Sequence, residues 1–153
     1  VNGRKVEASV EPGAYAALRR PWKTGDKIQL EIAMPVRLLE SHPLVEETRN
    51  HLAVARGPVV YCLEAADLPE GTNVSDICLP RSVELAPEWQ ADLLGGIAIL
   101  KGQAVRRRFR DWRDKLYDEA ANTGEEPLDI VLTPHYSWRN RGEGDMSVWL
   151  PAY

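Results

Sequence analysis

Polar and apolar residues alternate along Lys27-Ile28-Gln29-Leu30-Glu31-Ile32, so Ile28, Leu30 and Ile32 share one strand face and are expected to pack inward. Residues 15–20 read as a partner strand, and Pro21-Trp22-Lys23-Thr24-Gly25-Asp26 supplies the glycine that a hairpin turn needs. Pro35 interrupts the ladder, because it has no N–H to donate. The polar, acidic stretch from Ser41-His42-Pro43 to Asn50 suits a domain crossing, which places a boundary near Glu40.

Beyond that boundary, residues 52–56 and 58–64 read as two strands, or as one strand broken at Gly57-Pro58. The second is a nearly continuous apolar run, the pattern of a strand covered on both faces. Residues 97–105, 128–136 and 146–150 are the other strong strand candidates, with Ile130 and Leu132 on one face and Met146, Val148 and Leu150 on another. Residues 67–76 read as a loop. Glu88-Trp89-Gln90-Ala91-Asp92-Leu93-Leu94 before Gly95-Gly96 predicts a short helix stopped by glycine. Residues 111–121 predict a second helical turn or an insertion between strands. The expected fold is all-β, an antiparallel β-sandwich that is jelly-roll-like, with one or two short helices.

Composition narrows the function. Of 153 residues 44% are hydrophobic, enough for a packed core, and the net charge of −4 gives no overall attraction to nucleic acid or to an anionic membrane. No apolar run approaches the ~20 residues that span a bilayer, and the start, Val1-Asn2-Gly3-Arg4-Lys5, does not resemble a secretory signal. Cys62 and Cys78 give no Cys-x-x-Cys pair and no disulfide framework, which favours the cytoplasm.

Candidate chemistry is sparse. His42, His51 and His135 lack metal-ligand spacing, so no metal site is expected. Cys62 lies in an apolar strand with no adjacent charge to lower its pKa, and reads as a small buried hydrophobe. No Gly-x-Ser-x-Gly elbow is present. Glu64 at a strand end and Asp145 in a turn are conceivable paired carboxylates, but their separation in sequence names neither acid nor base. The basic stretch Arg106-Arg107-Arg108-Phe109-Arg110-Asp111-Trp112-Arg113 reads as a solvated loop or interdomain contact rather than a nucleic-acid site, given the acidic whole and Asp111 and Asp114 beside it. Among the tryptophans Trp22, Trp89, Trp112, Trp138 and Trp149, Trp138 stands apart. It lies between Tyr136 and the polar Arg139-Asn140-Arg141-Gly142, in a stretch suited to project an aromatic. Tyr136, Trp138, Arg139 and Asn140 are therefore the candidate carbohydrate-binding residues, and no catalytic residue is assigned.

The motifs Val1-Asn2-Gly3, Gly13-Ala14-Tyr15, Arg20-Pro21-Trp22-Lys23-Thr24-Gly25-Asp26, Met34-Pro35-Val36-Arg37, Ala55-Arg56-Gly57-Pro58-Val59-Val60-Tyr61-Cys62-Leu63-Glu64, Tyr136-Ser137-Trp138-Arg139-Asn140-Arg141-Gly142 and Met146-Ser147-Val148-Trp149 occur in order along the chain. Together they resemble the C-terminal part of the bacterial β-L-arabinofuranosidases of glycoside hydrolase family 127. That resemblance implies an N-terminal (α/α)6 barrel, holding a zinc-bound cysteine nucleophile and a glutamate acid/base, followed by two β-sandwich domains. It implies that residues 1–40 are the final strands of the first sandwich and 41–153 the second. No catalytic or zinc residue of the family maps onto this sequence, so neither Cys62 nor Cys78 inherits the nucleophile role and no cofactor is expected here. The implied role is a non-catalytic portion that braces the barrel and makes subunit contacts. The alternative is a carbohydrate-binding module for arabinosides. The implied partners are the chain's own catalytic domain, a second copy and carbohydrate. Without a partner sheet, the face carrying Ile28, Leu30 and Ile32 is expected to be exposed and to drive self-association.

Overall fold

The computed structural model describes residues 1–6, 11–107, 114–117, 119 and 124–153, and contacts divide the chain into two units, Val1–Ala33 and Met34–Tyr153. In the first unit the turn forms without its strands. The Asp26 N–H donates to the Lys23 carbonyl at 3.0 Å, and the Asp26 carboxylate accepts from the Lys23 N–H at 3.0 Å and from the Asn2 amide at 2.8 Å. These bonds, the one to Asn2 foremost, hold the Asp26 carboxyl below its usual pKa. Gly25 takes φ +92°, as the turn requires.

Residues 27–32 are not a strand, and Ile28, Leu30 and Ile32 are 65%, 80% and 72% exposed. This corrects the inward packing read from the alternation and agrees with the exposure expected of that face without a partner sheet. A strand exists through its neighbours' hydrogen bonds, and among the described residues no strand pairs with this segment, only Lys27 at its start being bonded to Asn2.

Among the described residues the second unit contains nine strands: β1 Val36–Leu39, β2 His51–Arg56, β3 Val59–Glu64, β4 Ile77–Cys78, β5 Ala86–Gln90, β6 Ile97–Arg107, β7 Glu125–Pro134, β8 Met146–Ser147 and β9 Leu150–Pro151. They form one antiparallel sheet in the order β1-β2-β3-β7-β6-β4, with β5 also on β6, β8 on β3 and β9 on β2. The antiparallel all-β architecture is the one expected from the apolar pattern. Gly57-Pro58 makes two strands of residues 51–64. Arg56 pairs with Val59 across a two-residue turn in which Gly57 takes φ +55°.

Pairing within this hairpin ends at Val54 and Tyr61. Beyond it β3 takes β8 as its neighbour (Leu63 opposite Ser147), while β2 takes β9 (Leu52 opposite Leu150). The run 146–150, expected as one strand, is therefore two short ones with a kink at Val148-Trp149. The kink is held by the Ser147 hydroxyl, which donates to the Trp149 carbonyl at 2.6 Å.

The last residues close a circuit. The Leu79 N–H donates to the Pro151 carbonyl at 2.8 Å and the Tyr153 N–H to the Leu79 carbonyl at 2.9 Å, tying the end of β4 to β9 and so back to β2. A sheet whose hydrogen bonds return to their starting strand must fold over on itself, and one surface becomes an interior. Leu52 and Val54 of β2, Tyr61 and Leu63 of β3, Ile77 of β4, Leu100 and Ala104 of β6, Ile130 and Leu132 of β7 and Leu150 of β9 fill it. Their period of two along each long strand is what the alternating pattern dictates. Gly102 in β6 lets another segment approach, since a Cβ there would lie 2.7 Å from the Glu84 carbonyl oxygen.

Residues 88–94 are not the expected helix. Ala86–Gln90 is a strand paired with β6, Trp89 facing Ala98 and Gln90 facing Ile97. Gly95 and Gly96, with φ of +78° and +104°, close that hairpin instead of stopping a helix. A Cβ on Gly96 would meet the Trp89 ring at 2.5 Å, so the indole lies over the turn only because a glycine is there. Among the described residues there are four 3-10 turns and no α-helix. The second helical turn, expected at 111–121, falls mainly outside the described residues.

Candidate functional site

At the end of β7 the backbone enters a 3-10 turn, His135–Ser137. The Ser137 hydroxyl donates to the Pro134 carbonyl at 2.6 Å, and the Trp138 N–H donates to the His135 carbonyl at 3.1 Å. Asn140 returns its side-chain amide to the Ser137 carbonyl at 3.0 Å, and its backbone N–H reaches the same oxygen at 3.3 Å. These bonds tighten the loop around Arg139, which adopts φ +66°.

The four candidate residues thus occupy unequal positions. Tyr136 is 68% exposed and Trp138 is 37% exposed. The Trp138 indole is stacked on His135 at 6.3 Å between centroids with 23° between planes, and the Arg139 guanidinium lies 5.8 Å from its centroid. Arg139 also reaches Glu143 at 3.3 Å. Asn140 braces its own loop.

Arg141, which no motif marked as a site, fastens this loop to the sheet. Its Nη1 and Nη2 donate to the two oxygens of Asp67 at 2.6 Å each, and Nη2 also donates to Glu64 Oε1 at 2.8 Å. Thr133 of β7 donates its hydroxyl to the same Glu64 oxygen at 2.5 Å. The side chains of Arg141 and Glu64 are only 17% and 6% exposed. Arg141 is held protonated far above any accessible pH, chiefly by its bonds to Asp67, against the opposing effect of burial. The sequence signal for this clamp was an acidic residue ending a buried strand, which requires a cation nearby.

Glu64 and Asp145 do not share an open cleft. Glu64 is buried in the clamp, whereas Asp145 is exposed, its backbone carbonyl accepting from the Ala65 N–H at 2.9 Å. Cys62 lies beneath the clamp with Sγ 4.0 Å from the Thr133 hydroxyl. Burial pushes its thiol up to about 11, so at neutral pH it is a protonated, weakly nucleophilic sulfur. Cys78 is buried on β4, its thiol also pushed up by burial, and both cysteines are free.

Of the basic stretch, residues 108–113 lie outside the described residues. Arg106 donates to the Gly71 carbonyl at 3.2 Å, and Arg107 lies 3.7 Å from Glu125 and 5.3 Å from the centroid of the Tyr153 ring. Among the described residues, no three of His, Cys, Asp and Glu are grouped so as to hold a metal ion. The zinc implied by the resemblance has no fitting donor set there, and no chemical step is derived through it. No described helix is long and apolar enough to cross a membrane.

Comparisons with known proteins converge on one family. The chain is 34% identical over 154 residues to the non-reducing end β-L-arabinofuranosidase of Bifidobacterium longum subsp. longum, covering 97% of this chain and 23% of that protein. A solved structure described as a glycoside hydrolase is 40% identical, with a TM-score of 0.84 over 99% of this chain and 25% of its own. A GH127 β-arabinofuranosidase is 34% identical, with a TM-score of 0.77 over 99% of this chain and 22% of its own. The GH127 β-L-arabinofuranosidase of Geobacillus stearothermophilus T6 is 37% identical, with a TM-score of 0.69 over 78% of this chain and 18% of its own. The chain thus spans a quarter or less of the length of these relatives. Residues 36–151 match the glycoside hydrolase family 127 C-terminal domain. The chain belongs to glycoside hydrolase family 127, and its second unit is that family's C-terminal domain.

Proposed function

We propose that this chain is a non-catalytic β-sandwich portion of a β-L-arabinofuranosidase-like hydrolase, bracing an (α/α)6 barrel that carries the zinc-bound nucleophile. The observation that carries this reading is the Arg141 clamp. The polar groups that a search for chemistry singles out are occupied in fixing a loop to the sheet, with Arg141, Glu64, Asp67 and Thr133 bonded to one another. Two free, buried thiols are in keeping with a reducing cytoplasm. Subunit contact with a second copy is supported by the exposed Ile28, Leu30 and Ile32.

The test has two arms. The purified 153-residue chain should release no arabinose from a β-L-arabinofuranoside, and release free of contaminating enzyme would overturn the non-catalytic reading. Mixed with the barrel of a relative stripped of its own C-terminal region, the chain should raise that barrel's melting temperature. An unchanged temperature would overturn bracing.

A second reading has its own observation. Tyr136 and Trp138 are exposed on a loop whose conformation is fixed, which suits stacking on the apolar face of a sugar. Arabinose oligosaccharides should then quench tryptophan fluorescence, and Trp138→Ala should abolish the effect. No response at millimolar sugar would leave bracing alone.

A further inference from the structure

We propose that the cleft between the 3-10 turn Val74–Asp76 and the kinked segment joining β8 to β9 binds a neutral, polyhydroxylated ligand of the size of one sugar ring. This site differs from the Tyr136–Trp138 loop and does not depend on it. The cleft has a volume of about 360 Å³ and is lined by His51, Asn73, Ser75, Asp145, Ser147 and Trp149, among others. That volume is at the small end of ligand sites.

The walls are fixed before any ligand arrives. Asn73 and Asp76 cap the turn reciprocally, the Asn73 N–H donating to the Asp76 carboxylate at 2.9 Å. On the other side β8 is paired with β3 and β9 with β2, and the Ser147–Trp149 hydrogen bond sets the kink between them. Trp149 lines the cleft beside this kink, and its indole is the largest apolar group available there to a sugar's C–H face.

The polar lining suits hydroxyl groups. His51 Nδ1 lies 2.8 Å from the Arg49 carbonyl, which can only accept. In the neutral ring Nδ1 therefore carries the proton and Nε2 is left as an acceptor. The Ser75 hydroxyl and the Asp145 carboxylate are engaged by no other described residue. One hydroxyl that donates and accepts, one carboxylate and one imidazole acceptor match a ligand rich in O–H donors beside an apolar C–H face. No Lys or Arg lines the cleft and an aspartate does, which disfavours an anion. The polar share of the lining disfavours a purely apolar ligand.

The experiment follows indole N–H resonances of the 153-residue chain during titration with L-arabinose in the presence of a chelator, with Trp149→Phe and Trp138→Phe supplying the assignments. The Trp149 resonance should shift saturably in the millimolar range. Asp145→Ala and Ser75→Ala, both at exposed positions that leave the fold intact, should each weaken binding about tenfold, as losing one hydrogen bond in a small site does. A saturable shift confined to Trp138 would overturn the cleft and support the loop reading. No saturation of either indole up to about 100 mM would overturn both. A Trp149 shift unaltered by Asp145→Ala and Ser75→Ala would also overturn the cleft.

Discussion

Ile28, Leu30 and Ile32 alternate with polar residues as regularly as Leu52 and Val54 of β2 or Ile130 and Leu132 of β7, yet the first set stands in solvent and the others are within the core. Nothing in the side chains distinguishes them. The difference lies in what runs alongside. β2 and β7 each have hydrogen-bonded neighbours on both flanks, whereas residues 27–32 have no paired strand among the described residues. Alternation therefore reports readiness to be half-buried, and pairing decides whether burial happens.

The contrast can be broken most forcefully from the buried side. Leu63 is 0% exposed at the centre of the core, and Leu63→Ala should cost about 2–5 kcal/mol in urea denaturation, the range for a core leucine truncated to alanine. A loss under about 1 kcal/mol would mean the core closes over the gap more readily than close packing allows. Next in size, Arg141→Ala leaves Glu64 and Asp67 without their cation. It should cost roughly 3 kcal/mol, the low end for breaking a buried pair, because the side chain of Arg141 retains some solvent contact. Its second signature is local, a sharpening of the Tyr136 and Trp138 resonances as the loop loses its anchor.

Cys62 gives a smaller effect with a defined pH sign. Its folded pKa, about 11, exceeds the ordinary thiol value of 9.0. The stabilisation from keeping the thiol protonated is full below pH 9 and is lost as pH rises through 11. Cys62→Ala should therefore flatten part of the alkaline fall in stability across that window, and in the parent chain a thiol reagent at pH 8 should react only as fast as the protein opens. Rapid labelling of the native chain would place the sulfur at the surface. The smallest expected change comes from the exposed side of the comparison. Leu30→Asp should alter stability by no more than about 0.5 kcal/mol, while light scattering shows a lower mass than the unaltered chain. A monomer before and after substitution would remove the self-association expected of this face.

Much of the sheet could be read from sequence because β2, β3, β6 and β7 are long enough to display their period. β4, β8 and β9 have two residues each, too few for any period, and exist through the partners that the tertiary fold brings to them. Ala86–Gln90 was ambiguous for a related reason. Its two glycines signal a stop with equal force for a helix or a hairpin, and pairing with β6 settled the matter. The projecting loop was legible from Tyr136 and Trp138 set among polar residues. Its anchor was legible only from one side: Glu64 at the end of a buried strand calls for a cation, but Arg141 meets Glu64 and Asp67 across 77 and 74 residues, a distance over which local pattern does not say which cation answers.

The closing of the hydrogen-bond circuit by Leu79, Pro151 and Tyr153 also sets an order in time. His51 pairs with Pro151, roughly a hundred residues later, so β2 emerges from the ribosome long before its neighbour on that flank is made. Throughout that interval the nascent chain presents open backbone at His51-Leu52 and at Leu79, and a second nascent chain on the same message offers the same edges. The edge that the finished fold conceals is therefore open for most of the time the chain takes to be made.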